Sequence, residues 1–161
     1  MDIGMVTRGF PNITPVECAG YLNKFGFKTT ELCFMFSNIN TWQYNGYKPM
    51  DELTDELAAS IVKTFKDNSI EIVSIGAFSS LLEPDPIKLA KNFKAYERYI
   101  QIAANNGIKF VSTESGFIPG RRGINADTYE KDFDYFKSNM INLLDIAKRY
   151  NVSIAFEPCI L

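Results

Sequence analysis

DIGMVTRGFPNITPVECAGYLNKFGFKTTELCFMF, residues 2–36, holds one complete structural period. It opens on DIGMV (2–6), short, apolar and rich in β-formers, which reads as a strand. Thr14-Pro15-Val16-Glu17 is a capping box with proline at the first helical position, and Gly26 closes the helix that it opens. The short link Gly26-Phe27, followed by Lys28, separates that helix from the next apolar run, TTELCFMF (29–36). A strand, a helical crossover and a tight return to a second strand is the arrangement that parallel strands require.

The period then repeats. EIVSIGAF (71–78), KFVST (109–113) and VSIAFE (152–157) are three further strand candidates. The second helix is read from Leu53, Leu57, Ile61 and Phe65 and is started near Asp51. Asp85-Pro86 opens the third helix and Gly107 stops it. Asp127 with Glu130 opens the fourth, whose apolar face is Phe133, Phe136, Met140, Leu143, Leu144 and Ala147, and Asn151 stops it. The order is βαβαβαβαβ. Links from helix to strand are minimal, whereas those from strand to helix are long and chemically varied (Thr7 to Ile13, Phe36 to Met50, Ser79 to Asp85, Glu114 to Ala126). That asymmetry places the chemistry at the C-terminal ends of the strands. Two parallel architectures compete. A doubly wound sheet would be complete at this length, but Thr7-Arg8-Gly9-Phe10-Pro11 is not its usual phosphate-binding glycine turn. A (β/α)8 barrel takes roughly 250 residues, so these would be its first five strands and four helices.

The 161 residues, 46% of them hydrophobic, suffice for a sizeable core in one domain (1–161). With 17 basic and 19 acidic residues the formal charge is −2, which gives no basic footprint for nucleic acid. No apolar stretch could span a membrane and MDIGMVTRGF is no signal peptide, so a cytoplasmic protein is expected. Cys18, Cys33 and Cys159, odd in number and unpatterned, read as core residues in a reducing compartment. Histidine is absent, so any metal must lean on carboxylate and water oxygens.

Glu157 is the first candidate for chemistry. Val152, Ile154 and Phe156 share one face of the last strand, and Ser153, Ala155 and Glu157 the other. If the bulky face meets the helices, Glu157 points into the barrel, and Pro158 ends the strand with the acid at its lip. Such a carboxylate contacts a metal or substrate, or is paired in a buried ion pair. Glu114, at the end of the fourth strand, adds a second acid; the two make an oxygen-rich Mg or Mn type site, or Glu114 caps a turn or meets an arginine. Arg121-Arg122 clamp a phosphate or carboxylate, or form a solvated loop face. Trp42, Tyr44 and Tyr47 wall a sugar site or pack beneath a lid. Glu31 points inward with Glu157 or pairs with a base, and Arg8 is a substrate contact or a structural salt bridge.

IGMVTRGFPNITPVECAGYLNKFGFKTTELCF, IVSIGAFSSLLEPDP, STESGFIPGRRGINADTYEKDF and SIAFEPCIL together resemble the N-terminal part of the sugar phosphate isomerase/epimerase family of xylose-isomerase-like TIM barrels. The TESGF-PGRRG loop and the FEP strand end are the most specific pieces. The resemblance implies a (β/α)8 barrel with a divalent metal (Mn, Mg, Co or Zn) at its C-terminal mouth, and Glu157, which ends the fifth strand, as a metal ligand and acid/base group. Further ligands would come from later strands. It implies a small-molecule sugar or sugar phosphate as substrate and isomerisation or epimerisation by proton transfer next to a carbonyl. A dehydratase of inositol-like sugars is the alternative within the superfamily, and a non-catalytic ligand-binding or self-assembling module the alternative outside it. Five strands cannot close a barrel. The expectation is a fragment of a longer protein, with association of two copies over the open sheet edges as the alternative.

Overall fold

A computed structural model describes residues 3–121, 123 and 125–158. Five strands, β1 (Gly4–Val6), β2 (Thr29–Leu32), β3 (Glu71–Gly76), β4 (Phe110–Glu114) and β5 (Ser153–Glu157), alternate with four helices, α1 (Pro15–Lys24), α2 (Asp55–Asp67), α3 (Pro86–Asn105) and α4 (Tyr129–Arg149). All pairings are parallel and the order in the sheet is β1-β2-β3-β4-β5. Sequential order decides between the two architectures, because a doubly wound sheet reverses direction at a switch point and this one does not. Each helix contacts the next, so right-handed crossovers lay all four on one face of the sheet. The arrangement is that of the first five strands of a (β/α)8 barrel, and the sheet is not closed.

The core lies between sheet and helices. Leu32, Ile75 and Val111 from the strands and Phe34 just after β2 meet Leu22, Phe65, Tyr96 and Ile100 from the helices, all fully buried. Three helix starts follow from their caps. The Thr14 hydroxyl accepts from Glu17 N–H while the Glu17 carboxylate accepts from Thr14 N–H, and the Asp85 carboxylate accepts from Ile87 and Lys88. The second helix begins at the Thr54 cap, whose hydroxyl accepts from Leu57 N–H, rather than near Asp51. The fourth begins after Thr128 rather than Asp127; the Thr128 hydroxyl donates to Asp132 at 2.7 Å and makes no backbone cap. Gly26, Gly107 and Asn151 turn the chain out of their helices with positive φ (81°, 71° and 55°), a conformation that glycine and asparagine tolerate. The apolar face of α4 is narrower than its sequence suggests. Leu143 and Ala147 are buried and Phe136 and Met140 pack beside them, but Phe133 and Leu144 remain 47% and 46% exposed.

The β3–α3 connection is carried in the interior, so its carbonyls need partners. Side chains of the helices supply them: Tyr96 Oη donates to Ser79 O and contacts Thr113 Oγ1, Asn92 Nδ2 donates to Ser80 O, Asn139 Nδ2 to Leu81 O and Tyr135 Oη to Glu83 O. The connection thereby becomes a fixed floor for the loops above it. Cys18 and Cys33 are free, buried thiols; burial pushes Cys18 up to about 11 and raises Cys33 further, which disfavours the reactive thiolate.

Candidate functional site

On the face of the sheet away from the helices the side chains are polar and partly open. Ser153, Ala155 and Glu157 of β5 are exposed there, while Phe156 on the opposite face packs on Phe136 of α4 with ring centroids 5.4 Å apart. The two-fold alternation of β5 therefore runs as its sequence indicates. Glu157 stands beside Glu114 in the β4–β5 register. Neighbouring strands lie roughly 4.8 Å apart, so two carboxylates leave adjacent strand ends side by side.

Their environments differ. Glu114 is 6% exposed; its Oε2 accepts from Tyr44 Oη at 2.7 Å and its Oε1 lies 3.7 Å from Arg8 Nη2. Arg8 and Tyr44 are thus the partners of this buried side chain. Glu157 is exposed and carries neither an ion pair nor a hydrogen bond among the described residues. Of the two acids, Glu157 is the one whose lone pairs are at the disposal of a cation or a proton.

Arg8 belongs to the Thr7–Gly9 turn that follows β1. Its guanidinium lies 4.9 Å from the centre of the Phe78 ring and 5.8 Å from that of Trp42. Trp42, Tyr44, Phe78 and Phe117 form a chain of ring contacts with centroids 5.6 to 6.3 Å apart. Thus Arg8, Trp42, Tyr44 and Glu114 meet at one corner of the mouth. Trp42 is 8% exposed, and its Nε1 is the one buried side-chain polar atom among the described residues that lacks a hydrogen-bond partner. A buried donor left unpaired costs about 1–3 kcal/mol, which marks the position for explanation.

Arg121 lies apart from that corner. It donates to Thr128 Oγ1 at 2.9 Å and forms an ion pair with Asp132, and the hydrogen bond from Thr128, ahead of the pair with Arg121, holds the Asp132 carboxyl below its ordinary range. Both residues border a cavity of about 360 Å³ lined by Phe117, Ile118, Tyr129, Phe133, Phe136 and Phe156. This hollow is apolar and near the mouth, yet Phe156 shows it to be on the helix side of β5, away from the two acids. Arg122 lies outside the described residues. Tyr47, partly exposed, joins none of the ring contacts of the corner.

Three features of the site have partners that no sequence pattern names. Among the described residues Glu31 meets no base; its Oε2 accepts from Ser112 Oγ and, at 3.3 Å, from Ser74 Oγ, so hydroxyls of β3 and β4 answer it. Gly76 makes room for this, because a Cβ there would lie 2.6 Å from Cys33 Sγ and 2.9 Å from Glu31 Oε1. Asn45 ties the loops together: its N–H donates to Phe78 O at 2.7 Å, its Nδ2 to Phe117 O at 3.0 Å, and its Oδ1 accepts from Phe117 N–H at 2.8 Å. Its φ of 54° is one that asparagine tolerates. Asn45-Gly46 is a turn signal, but no sequence pattern says which loops the amide will join.

The described residues gather no cluster of three or more acidic or cysteine ligands. Glu157 is an oxygen donor of the kind that divalent cations take, and Glu114 is committed to Tyr44 and Arg8, so the set fits one corner of a centre. No helix among the described residues is long and apolar enough to cross a membrane.

Comparison with known proteins follows the same outline. The profile of the family described as xylose isomerase-like TIM barrel matches residues 19–160. A putative xylose isomerase from Rhodospirillum rubrum superposes with a TM-score of 0.73 at 18% identity, covering 98% of this chain and 54% of that one. A D-psicose 3-epimerase crystallised in the presence of D-fructose gives 0.66 at 17% identity, over 96% and 51%. An IolI protein with a bound zinc atom gives 0.65 at 16% identity, over 98% and 51%. The chain spans about half the length of these solved structures. No curated protein matches it by sequence.

Proposed function

The chain belongs to the xylose isomerase-like TIM barrel family, and from that premise we propose that it forms the N-terminal part of a metal-dependent sugar isomerase or epimerase. The observation that carries this reading is the pair Glu114 and Glu157, side by side at the C-terminal ends of β4 and β5, one neutralised by Arg8 and the other free. Glu157 is the residue that would hold a divalent cation, of Mn, Mg, Co or Zn, and when bound such an ion supplies Lewis-acid stabilisation of negative charge developing on a carbonyl oxygen. Glu157 also stands where a carboxylate can take or return the proton next to that carbonyl. Trp42 and Phe78 hold the Arg8 guanidinium against their rings, Arg8 and Tyr44 orient the Glu114 side chain, and Asn45 fixes the loops that carry them. Removal of the same proton also begins a dehydration of inositol-like sugars, which is the second reading within this chemistry. The buried free thiols Cys18 and Cys33 accord with a cytoplasmic site of action.

The test is a calorimetric titration of Mn2+ into the chain and into Glu157→Gln, with the solution mass recorded on the same samples. Saturable binding lost in the variant supports the reading. Binding that survives the substitution removes Glu157 from the metal site, and absence of binding in both leaves the chain without a cation site of its own.

A further inference from the structure

Asparagine followed by glycine is a chemically labile pair, because the glycine nitrogen, with no side chain beside it, can attack the asparagine amide carbon. The chain contains the pair twice, at Asn45-Gly46 and Asn106-Gly107. Asn106 caps α3, and its Nδ2 donates to Ile102 O at 2.8 Å. Asn45 lies in the connection between β2 and α2, and its amide bonds to a different loop.

The backbone of Phe117 grips that amide at both ends: its N–H donates to Oδ1 at 2.8 Å, and its carbonyl accepts from Nδ2 at 3.0 Å. Gly116 shapes the seat, since a Cβ there would lie 2.7 Å from Asn45 Oδ1, and its φ of 67° is one that glycine adopts freely. Phe117 O also accepts from Ser80 Oγ at 3.2 Å, so the β3–α3 connection shares the anchor. An amide suits this place because it donates from one atom and accepts at the other, whereas an ionised carboxylate only accepts.

Attack by the Gly46 nitrogen makes the Asn45 amide carbon tetrahedral, which carries Oδ1 out of line with Phe117 N–H. Departure of Nδ2 as ammonia ends the bond to Phe117 O. Both bonds are lost on the way to product, so the reaction waits for the loops to part and its rate follows the population of the open form.

We propose that Asn45 is a modification site gated by opening of the mouth: water converts its amide to a carboxylate while the loops are apart, and the product does not latch again. The bond from Gly46 N to Asn45 Cγ forms as the Cγ–Nδ2 bond breaks, and the Gly46 proton leaves with the ammonia. One water then opens the cyclic imide at either carbonyl, leaving an aspartate or an isoaspartate. No electrons are exchanged. One oxygen of the new carboxylate faces Phe117 O, acceptor against acceptor. Tyr44, the residue before, is the one that bonds Glu114, so unlatching reaches the candidate site. The inference stands independently of what the mouth binds.

The whole chain is aged at mildly alkaline pH, in buffer and in guanidinium chloride, and conversion is read from the masses of proteolytic peptides with Asn106 as the internal reference. In denaturant the two pairs are expected to convert at equal rates. In the folded chain Asn45 is expected to convert about thirtyfold more slowly than in denaturant, the protection that two hydrogen bonds provide. Gly116→Ala crowds Oδ1 and leaves the Asn-Gly pair intact; it should raise the folded rate at Asn45 about tenfold and leave Asn106 unchanged. A folded rate equal to the unfolded one, or a rate in Gly116→Ala equal to the parent's, overturns the gating. Should Gly116→Ala quicken Asn106 as well, which marks general loss of the fold, Asn45→Asp decides alone. Faster amide exchange at 115–118 with unchanged protection in α1 supports the proposal, and exchange like the parent's overturns it.

Discussion

At the scale of single residues, the mouth depends on close approach and on charge already answered. Gly76→Ala would press a methyl group to within 3 Å of Cys33, Phe78 and Glu31, two of them in the packed interior of the barrel face. Overpacking of this kind costs about 1–3 kcal/mol, and a denaturant midpoint shifted by that amount with an unchanged slope is expected. Asn45→Ala loses both side-chain hydrogen bonds to Phe117, keeps the backbone bond to Phe78, and puts alanine at φ 54°. A loss of about 2 kcal/mol is expected. It should be accompanied by faster amide exchange in the 44–46 and 115–118 segments and unchanged protection in α1, which separates a loosened mouth from general destabilisation.

At the scale of elements, helix starts govern the response to acid. Hydrogen bonding to Thr14 lowers the Glu17 carboxyl below its ordinary 4.5. The unfolded chain therefore binds this proton more readily, so the contribution of the capping box is complete above about pH 4.5 and is lost as the pH falls through the lower folded value. Glu17→Gln keeps the box and removes the titration, so the slope of stability against pH should flatten in that window. Thr54→Ala should cost about 1 kcal/mol at any pH. These elements were also the most legible part of the sequence. All five strands and four helices were readable from periodicity, caps and closing glycines. The start of α2 was misplaced because Thr54 lies downstream of an equally acidic stretch at Asp51 and Glu52, and composition alone does not say which oxygen meets the backbone. The exposed Phe133 and Leu144 of α4 kept helical spacing but have no neighbour to bury them.

At the scale of the whole molecule, Glu114, Glu157, Arg8 and Trp42 could be named from the sequence because parallel strands deliver their C-terminal ends to one place. What each of them touches was not legible. The partners of Glu31 come from strands 43 and 81 positions away, and Tyr44 reaches Glu114 across 70. Such meetings are set by the register of the sheet. The sheet itself stays open: Met5, Val73 and Phe110 are 39%, 42% and 44% exposed. Open parallel edges and apolar surface of this kind favour association. We propose self-association through this exposed apolar surface of the open sheet, and sedimentation across a hundredfold range of concentration should show a rising mass that Phe110→Lys reduces.

The strand order has one more effect. Every ladder joins a strand to the next one in the chain, as Gly4 joins Thr29 and Phe110 joins Ser153, so no strand waits for a distant segment before it can pair. On a ribosome, each unit of strand and helix finds its seat on the preceding one as it emerges. Assembly then proceeds from the N-terminus as a growing wall, and the newest strand is always the unprotected one.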